Sequence, residues 1–151
     1  MKGRPLRTLS LAVNYNRIGF VYLIGGQPMF WKLSFKAGST ASNAEKLLKR
    51  WLDEYDPDIV ITERLETMGR KTERSKMLLD VVNRTICKHD VQHITQDRTQ
   101  PYRNLYDQID RLCERYPQME AARPKRRRFY QKEPPYVTVF DALSLADAMN
   151  S

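Results

Sequence analysis

The run Ile59-Val60-Ile61-Thr62 is apolar or β-branched at every position and follows directly on Pro57-Asp58. A strand with no polar alternation is covered on both faces, as in the middle of an α/β sheet. The neighbouring segments agree with such a sheet. Three β-rich runs, 8 to 14, 18 to 24 and 29 to 35, precede it, and Gly25-Gly26 between the last two supplies a turn that tolerates positive φ. Three sequential strands with short connections make an antiparallel meander. Ser42-Asn43-Ala44-Glu45 then has the form of a capping box, and Leu47, Leu48, Trp51, Leu52 and Tyr55 recur at helical spacing. They predict a helix over about 43 to 55, ended by Pro57. That helix allows a right-handed crossover, by which the 59 to 62 strand lies parallel to the first.

Beyond it, Met77, Leu78, Val81, Val82 and Thr85 mark one stripe of a helix over about 72 to 89, and Val91 to Thr95 reads as a short fifth strand. Leu105, Tyr106, Ile109, Leu112 and Tyr116 form a third helical stripe, stopped by Pro117. Residues 117 to 137 carry four prolines and the run Arg123-Pro124-Lys125-Arg126-Arg127-Arg128, which predicts a basic loop. A last helix is expected from Thr138 to Met149, with Thr138 as its N-cap. The whole reads as one α/β domain over 1–151, its mixed five-stranded sheet combining the meander with two parallel strands and flanked by helices.

With 26 Lys+Arg against 18 Asp+Glu the formal charge is +8, so polyanions are the expected partners, nucleic acid first and an acidic membrane surface next. No 18 apolar residues run together, which argues against a membrane span and for a cytoplasmic location. Cys87 and Cys113 lack CxxC spacing and are expected as reduced, semi-buried thiols, not zinc ligands. His89 and His93 also lack ligand spacing.

Two strand ends carry the chemistry. Leu9-Ser10-Leu11-Ala12-Val13 ends on Asn14, and Ile59-Val60-Ile61-Thr62 ends on Glu63. In open α/β sheets, ligands bind at the mouth beyond the strand carboxyl ends. Asp141, inside the apolar Phe140-Asp141-Ala142-Leu143, is an acid whose burial needs a partner, because unpaired buried carboxylates are costly.

The segments Leu11-Ala12-Val13-Asn14-Tyr15-Asn16-Arg17-Ile18-Gly19-Phe20, Asp58-Ile59-Val60-Ile61-Thr62-Glu63 and Phe140-Asp141-Ala142-Leu143-Ser144-Leu145-Ala146, in this element order, resemble the RuvC-like Holliday junction resolvases, in particular a small proteobacterial and phage-associated type. The resemblance implies the ribonuclease-H-like fold and a nuclease that holds two Mg2+ or Mn2+ ions in a carboxylate cluster. Such hard cations prefer oxygen ligands, and a pair about 4 Å apart activates water and stabilises the departing oxygen. Catalytic and metal-binding roles fall on Asn14, Glu63 and Asp141, with Glu133 a further metal candidate from the loop.

Two positions depart from the family pattern. Asn14 stands where the first strand normally ends in Asp, and a neutral amide cannot bridge two cations, so metal affinity and catalysis should fall steeply. One helical turn before Asp141, where the family places Asp or His, stands Thr138. Asp147 lies about 120° around the helix from Asp141 and is expected to face solvent.

DNA contacts are expected from Arg64, Arg70, Lys71, Arg74 and Lys76 just past the fourth strand, from Arg98 and Arg103, and from Lys125, Arg126, Arg127 and Arg128 with Phe129 and Tyr130 for stacking. The resemblance also implies a two-fold homodimer on four-way junctions, with Met77 or Val81 on the second helix as contacts. Three activities stay open: an endonuclease for branched DNA impaired by Asn14, a non-catalytic nucleic-acid-binding module, and an RNase-H-type nuclease acting on RNA or RNA/DNA hybrid.

Overall fold

The computed structural model describes residues 5–14, 17–35, 40–64, 73–97, 105–124 and 136–150. Strands β1 (Arg7–Asn14), β2 (Arg17–Ile24) and β3 (Gln27–Ser34) form the meander, turned at Gly25 and Gly26 with φ of 59° and 82°. Helix α1 (Ala41–Tyr55) leads to β4 (Ile59–Glu63), α2 (Glu73–Cys87) to β5 (Gln92–Gln96), and α3 (Leu105–Arg115) to the final helix α4 (Val137–Asn150). The sheet order is β3-β2-β1-β4-β5, antiparallel within the meander and parallel from β1 through β4 to β5. Mutual backbone and side-chain bonds between Arg7 and Asp58, each 2.9 Å, seat the start of β4 beside β1.

Strand alternation divides the core between the two faces. Leu9, Leu11 and Val13 of β1, Phe20 of β2 and Val60 of β4 pack with Leu48 and Trp51 of α1 and Leu79, Val82 and Ile86 of α2. Ala12 of β1, Val21 of β2, and Ile59 and Ile61 of β4 face the opposite way, onto α3 and α4. Helix α4 is apolar around most of its circumference because it packs against the sheet on one side and α3 on the other.

Small residues let α4 come close. Ala12 and Gly19 are paired across β1 and β2, and Ala142 and Ala146 are buried on the helix. Ser10 Oγ donates to the Ala142 carbonyl at 2.6 Å, which fixes the helix along the strand. A Cβ at Gly19 would lie 3.1 Å from Thr138 Cγ2 and 3.4 Å from Leu33 Cδ1. Gly19→Val is therefore expected to destabilise the protein by about 1–3 kcal/mol through overpacking. An unshifted denaturation midpoint would show that α4 can give way.

Several local expectations change. The N-cap of α1 is Thr40, whose hydroxyl accepts from the Asn43 amide at 3.0 Å, so the Ser42 capping box is not used. The helix closes on Asp56 in the left-handed region, immediately before Pro57. On α2 the buried stripe is Leu78, Leu79, Val82 and Ile86, whereas Met77 is 63% exposed. Residues 117 to 137 are not all loop: Pro117–Ala122 is a 3-10 helix with Met119 and Ala122 buried, and α4 begins at Val137. Arg123, the first cation of the basic run, is tied to Glu120 and Asp110. Gln118 Nε2 donates to the Pro28 carbonyl and to Gln27 Oε1, each at 3.2 Å, and so covers the start of edge strand β3. Cys87 is exposed and Cys113 buried, and both are free thiols. Among the described residues no helix is long and apolar enough to cross a membrane.

Candidate functional site

Asn14 ends β1, and its side chain lies on the α4 face because it alternates in step with Ala12 and Ser10. Thr138 and Asp141, three residues apart in α4, share one side of the helix and meet it. Asn14 Nδ2 donates to Asp141 Oδ2 at 2.5 Å and to Thr138 Oγ1 at 3.2 Å. A carboxylate only accepts, so chemistry fixes the amide with its nitrogen towards Asp141, and both amide hydrogens then have acceptors. All three side chains are buried.

Glu63 ends β4 and is 2% exposed. It follows Ile59 and Ile61 in alternation, which places it on the same α4 face as Asn14 and Asp141. The parallel ladder runs from Thr8 opposite Ile59 to Ser10 opposite Ile61, so the register carried forward sets Glu63 level with Ala12. That is two residues, about 7 Å, short of Asn14 along the strand direction. Across the hairpin, Arg17 is paired directly with Asn14 and alternates with Gly19 and Val21 onto the same face, where it is half-buried.

No known family profile matches this sequence, and no curated protein does either. Solved structures do match in fold. The Fowlpox virus resolvase, in a complex with substrate Holliday junction DNA, superposes with a TM-score of 0.61 at 16% identity, over 97% of this chain and 100% of that one. RuvC of Thermus thermophilus gives 0.62 at 10% identity, over 93% and 91%. The yeast mitochondrial Holliday junction resolvase gives 0.54 at 11% identity, over 95% and 78%. The chain shares the fold of these three proteins.

On this fold the expected residues divide clearly. Asn14 and Asp141 are in direct contact, Glu63 shares their face, and Thr138 joins them. Thr138 is not the N-cap that its sequence context predicts; the helix starts one residue earlier, at Val137, and the hydroxyl is turned into the site. Asp147 does not face open solvent. Arg115 Nη1 donates to both its oxygens at 2.6 and 2.7 Å, and the Tyr116 hydroxyl to one at 3.0 Å. Arg17 was missed by sequence reasoning, although a connection of only two residues after Asn14 is enough to set the two opposite each other.

Among the expected DNA contacts, Arg64 pairs with Asp97 at 3.0 Å and Lys76 with Glu73 at 3.7 Å, both on exposed surface. Arg74 lies in the first turn of α2. Its side chain, together with Arg70, Lys71, Arg98, Arg103, Lys125, Arg126, Arg127, Arg128, Phe129, Tyr130 and Glu133, lies outside the described residues.

The histidines serve elsewhere. Thr62 donates its hydroxyl hydrogen to Asn83 Oδ1 at 2.7 Å, so His93 Nε2, 2.8 Å away, is the donor to Thr62, and burial lowers the pKa of that imidazole. Thr62 precedes Glu63 and so points to the opposite sheet face. His89 Nδ1 donates to the Thr85 carbonyl at 3.1 Å.

Two divalent ions need more acid than the described part of this site holds. Among the described residues no three His, Cys, Asp or Glu side chains gather as a metal-binding group. Asp141 Oδ2 already accepts from the Asn14 amide. The described residues as they stand do not fit the two-ion cluster.

Proposed function

We propose that the protein recognises branched DNA, four-way junctions above all, as a structure-selective endonuclease of the Holliday junction resolvase type whose cutting is impaired by Asn14. The observation that carries this is the meeting of Asn14 and Asp141 at the end of β1, on a fold shared with a resolvase crystallised on its junction substrate. The net charge of +8 supports a polyanionic partner. Phosphate contacts supply affinity in this reading, and branch geometry supplies selectivity.

A four-way junction has two equivalent strands to engage, so two copies of this chain are expected per junction. Exposed Met77 on α2 is the apolar contact we assign to that pairing. A second reading, a non-catalytic junction-binding module, is favoured by the amide that occupies Asp141.

The deciding measurement is competition among a four-way junction, a linear duplex and an RNA/DNA hybrid of equal length. Junction affinity at least about tenfold above both others, a gap of about 1.4 kcal/mol, is expected. Equal affinity for the linear duplex would remove the branched-DNA reading, and preference for the hybrid would move the substrate to RNA/DNA. Replacing Lys125, Arg126, Arg127 and Arg128 together by Gln is expected to flatten the slope of log affinity against log salt by about 0.9 for each phosphate that is no longer neutralised. An unchanged slope would mean that this run does not touch the backbone.

A further inference from the structure

We infer that Thr62, held from behind by His93 and Asn83, is the positioning residue that sets where Glu63 stands on the α4 face. The inference rests on the reading of Glu63 as part of the proposed site and adds what keeps it in place. Thr62 is fully buried on β4, a strand that is otherwise apolar up to Glu63. Its hydroxyl donates to Asn83 Oδ1 of α2 at 2.7 Å and accepts from His93 Nε2 of β5 at 2.8 Å. The other ring nitrogen, His93 Nδ1, lies 3.9 Å from Cys87 Sγ and is left as an acceptor for the thiol hydrogen, in keeping with that tautomer. Three elements thus meet on one oxygen.

Packing alone does not call for that oxygen. Val has the same branched shape as Thr and suits a buried strand as well, so the space would be filled without a hydroxyl. With the hydroxyl, β4 is bound to α2 and β5 in one arrangement, because hydrogen bonds fix direction as well as distance and a satisfied buried network is rigid.

The clamp lies at the strand end that carries Glu63. The β1–β4 register takes in Ile59 to Ile61, whereas the β4–β5 register continues through Thr62 opposite Thr95 and Glu63 opposite Gln96. The Arg64 amide then donates to the Gln96 carbonyl at 3.0 Å. The end of β4 is therefore set largely from the β5 side. Thr62 and Glu63 are joined by one peptide unit, about 3.8 Å between Cα atoms, with side chains on opposite faces, so a twist or slip at Thr62 turns Glu63 with it. Loss of a group that orients a metal-binding side chain weakens metal affinity or activity about 10–100-fold.

The test reads the full chain in two ways. In protein labelled with carbon-13 at the glutamate carboxyls, the Glu63 resonance is identified by its disappearance in Glu63→Gln. It should move in Thr62→Val and in Asn83→Leu and stay at the wild-type position in Thr62→Ser, which restores the hydroxyl. It should also stay in Leu48→Ala, which empties a larger space on the same sheet face without touching the clamp. In the Asn14→Asp background, adding Thr62→Val should raise the Mg2+ concentration for half-maximal junction cleavage about tenfold. Adding Thr62→Ser should leave it within about twofold.

A Glu63 resonance unmoved by Thr62→Val, or moved as far by Leu48→Ala or Thr62→Ser, would overturn the inference. If Thr62→Val does not fold, Asn83→Leu decides in its place. Absence of cleavage by Asn14→Asp would sink the catalytic part of the proposed function and leave the carboxyl resonance to decide this inference. Cleavage by Asn14→Asp whose Mg2+ requirement Thr62→Val leaves unchanged would do the reverse.

Discussion

Asn14→Asp is expected to give the protein Mg2+-dependent cleavage of a synthetic four-way junction at a rate more than about 100-fold above that of the unmodified chain. The figure is a lower bound, since substitutions one shell outside a metal cost about 10–100-fold and position 14 touches Asp141 itself. The substitution changes one group only, amide to carboxylate, at constant shape. It would bring a third acid to the face that already holds Glu63 and Asp141. A divalent ion bound there would supply activation of a water for attack on the phosphodiester. Single-turnover cleavage of a labelled junction reads the effect. Tight junction binding by Asn14→Asp with no cleavage in Mg2+ or Mn2+ would establish the binding-module reading instead.

The second large effect is on stability, and it should leave recognition alone. Trp51 is 1% exposed and lies edge-on to Phe20, with ring centroids 4.6 Å apart, on the α1 and α2 side of the sheet. Trp51→Ala removes a large buried ring from a close-packed cluster, at an expected cost of about 3–5 kcal/mol. Set against a total stability of about 5–15 kcal/mol, that should lower the melting temperature by about 10 °C. Trp31 remains as a fluorescence probe of the transition.

Junction affinity measured well below the transition should hold within about twofold, because Asn14, Glu63 and Asp141 lie on the other face. Phe140→Ala is the contrasting case. It carries a comparable cost but sits next to Asp141 in α4, and should weaken binding as well. Equal loss of binding in the two variants would show that the faces are not separable.

These contrasts depend on features that differ in how plainly the sequence displays them. The strands were readable because β-branched runs and their turns are local signals, as at 59 to 62 and at Gly25-Gly26. The same holds for Asn14, a polar residue ending an apolar strand, and for Asp141, an acid in an apolar helix. What misled was whatever depended on the neighbour an element meets. The buried stripe of α2 excludes Met77 and includes Leu79 and Ile86, because the sheet and α1 set which side is covered.

Thr138 has the composition of a cap, yet the helix starts before it and Gly19 makes room for it against the sheet. The angle assigned to Asp147 placed it away from Asp141, but Arg115 at the end of α3 and Tyr116 just after it cover that side. Met119 and Ala122 are three apart, the period of a 3-10 turn, too short a pattern to stand out among the prolines around it.

The Gln118 side chain that reaches over the start of β3 bears on how concentrated solutions of this protein should behave. A border strand with open amides and carbonyls invites another chain to extend the sheet, and Met29 and Phe30 offer such a visitor an apolar foothold. Pro28, which has no N–H, and the Gln118 amide on its carbonyl take away docking points at one end of that border, while the register shift at Tyr22/Leu23 bends it. Fibre-like stacking of copies along β3 is thereby discouraged without any sacrifice of the apolar surface beside it.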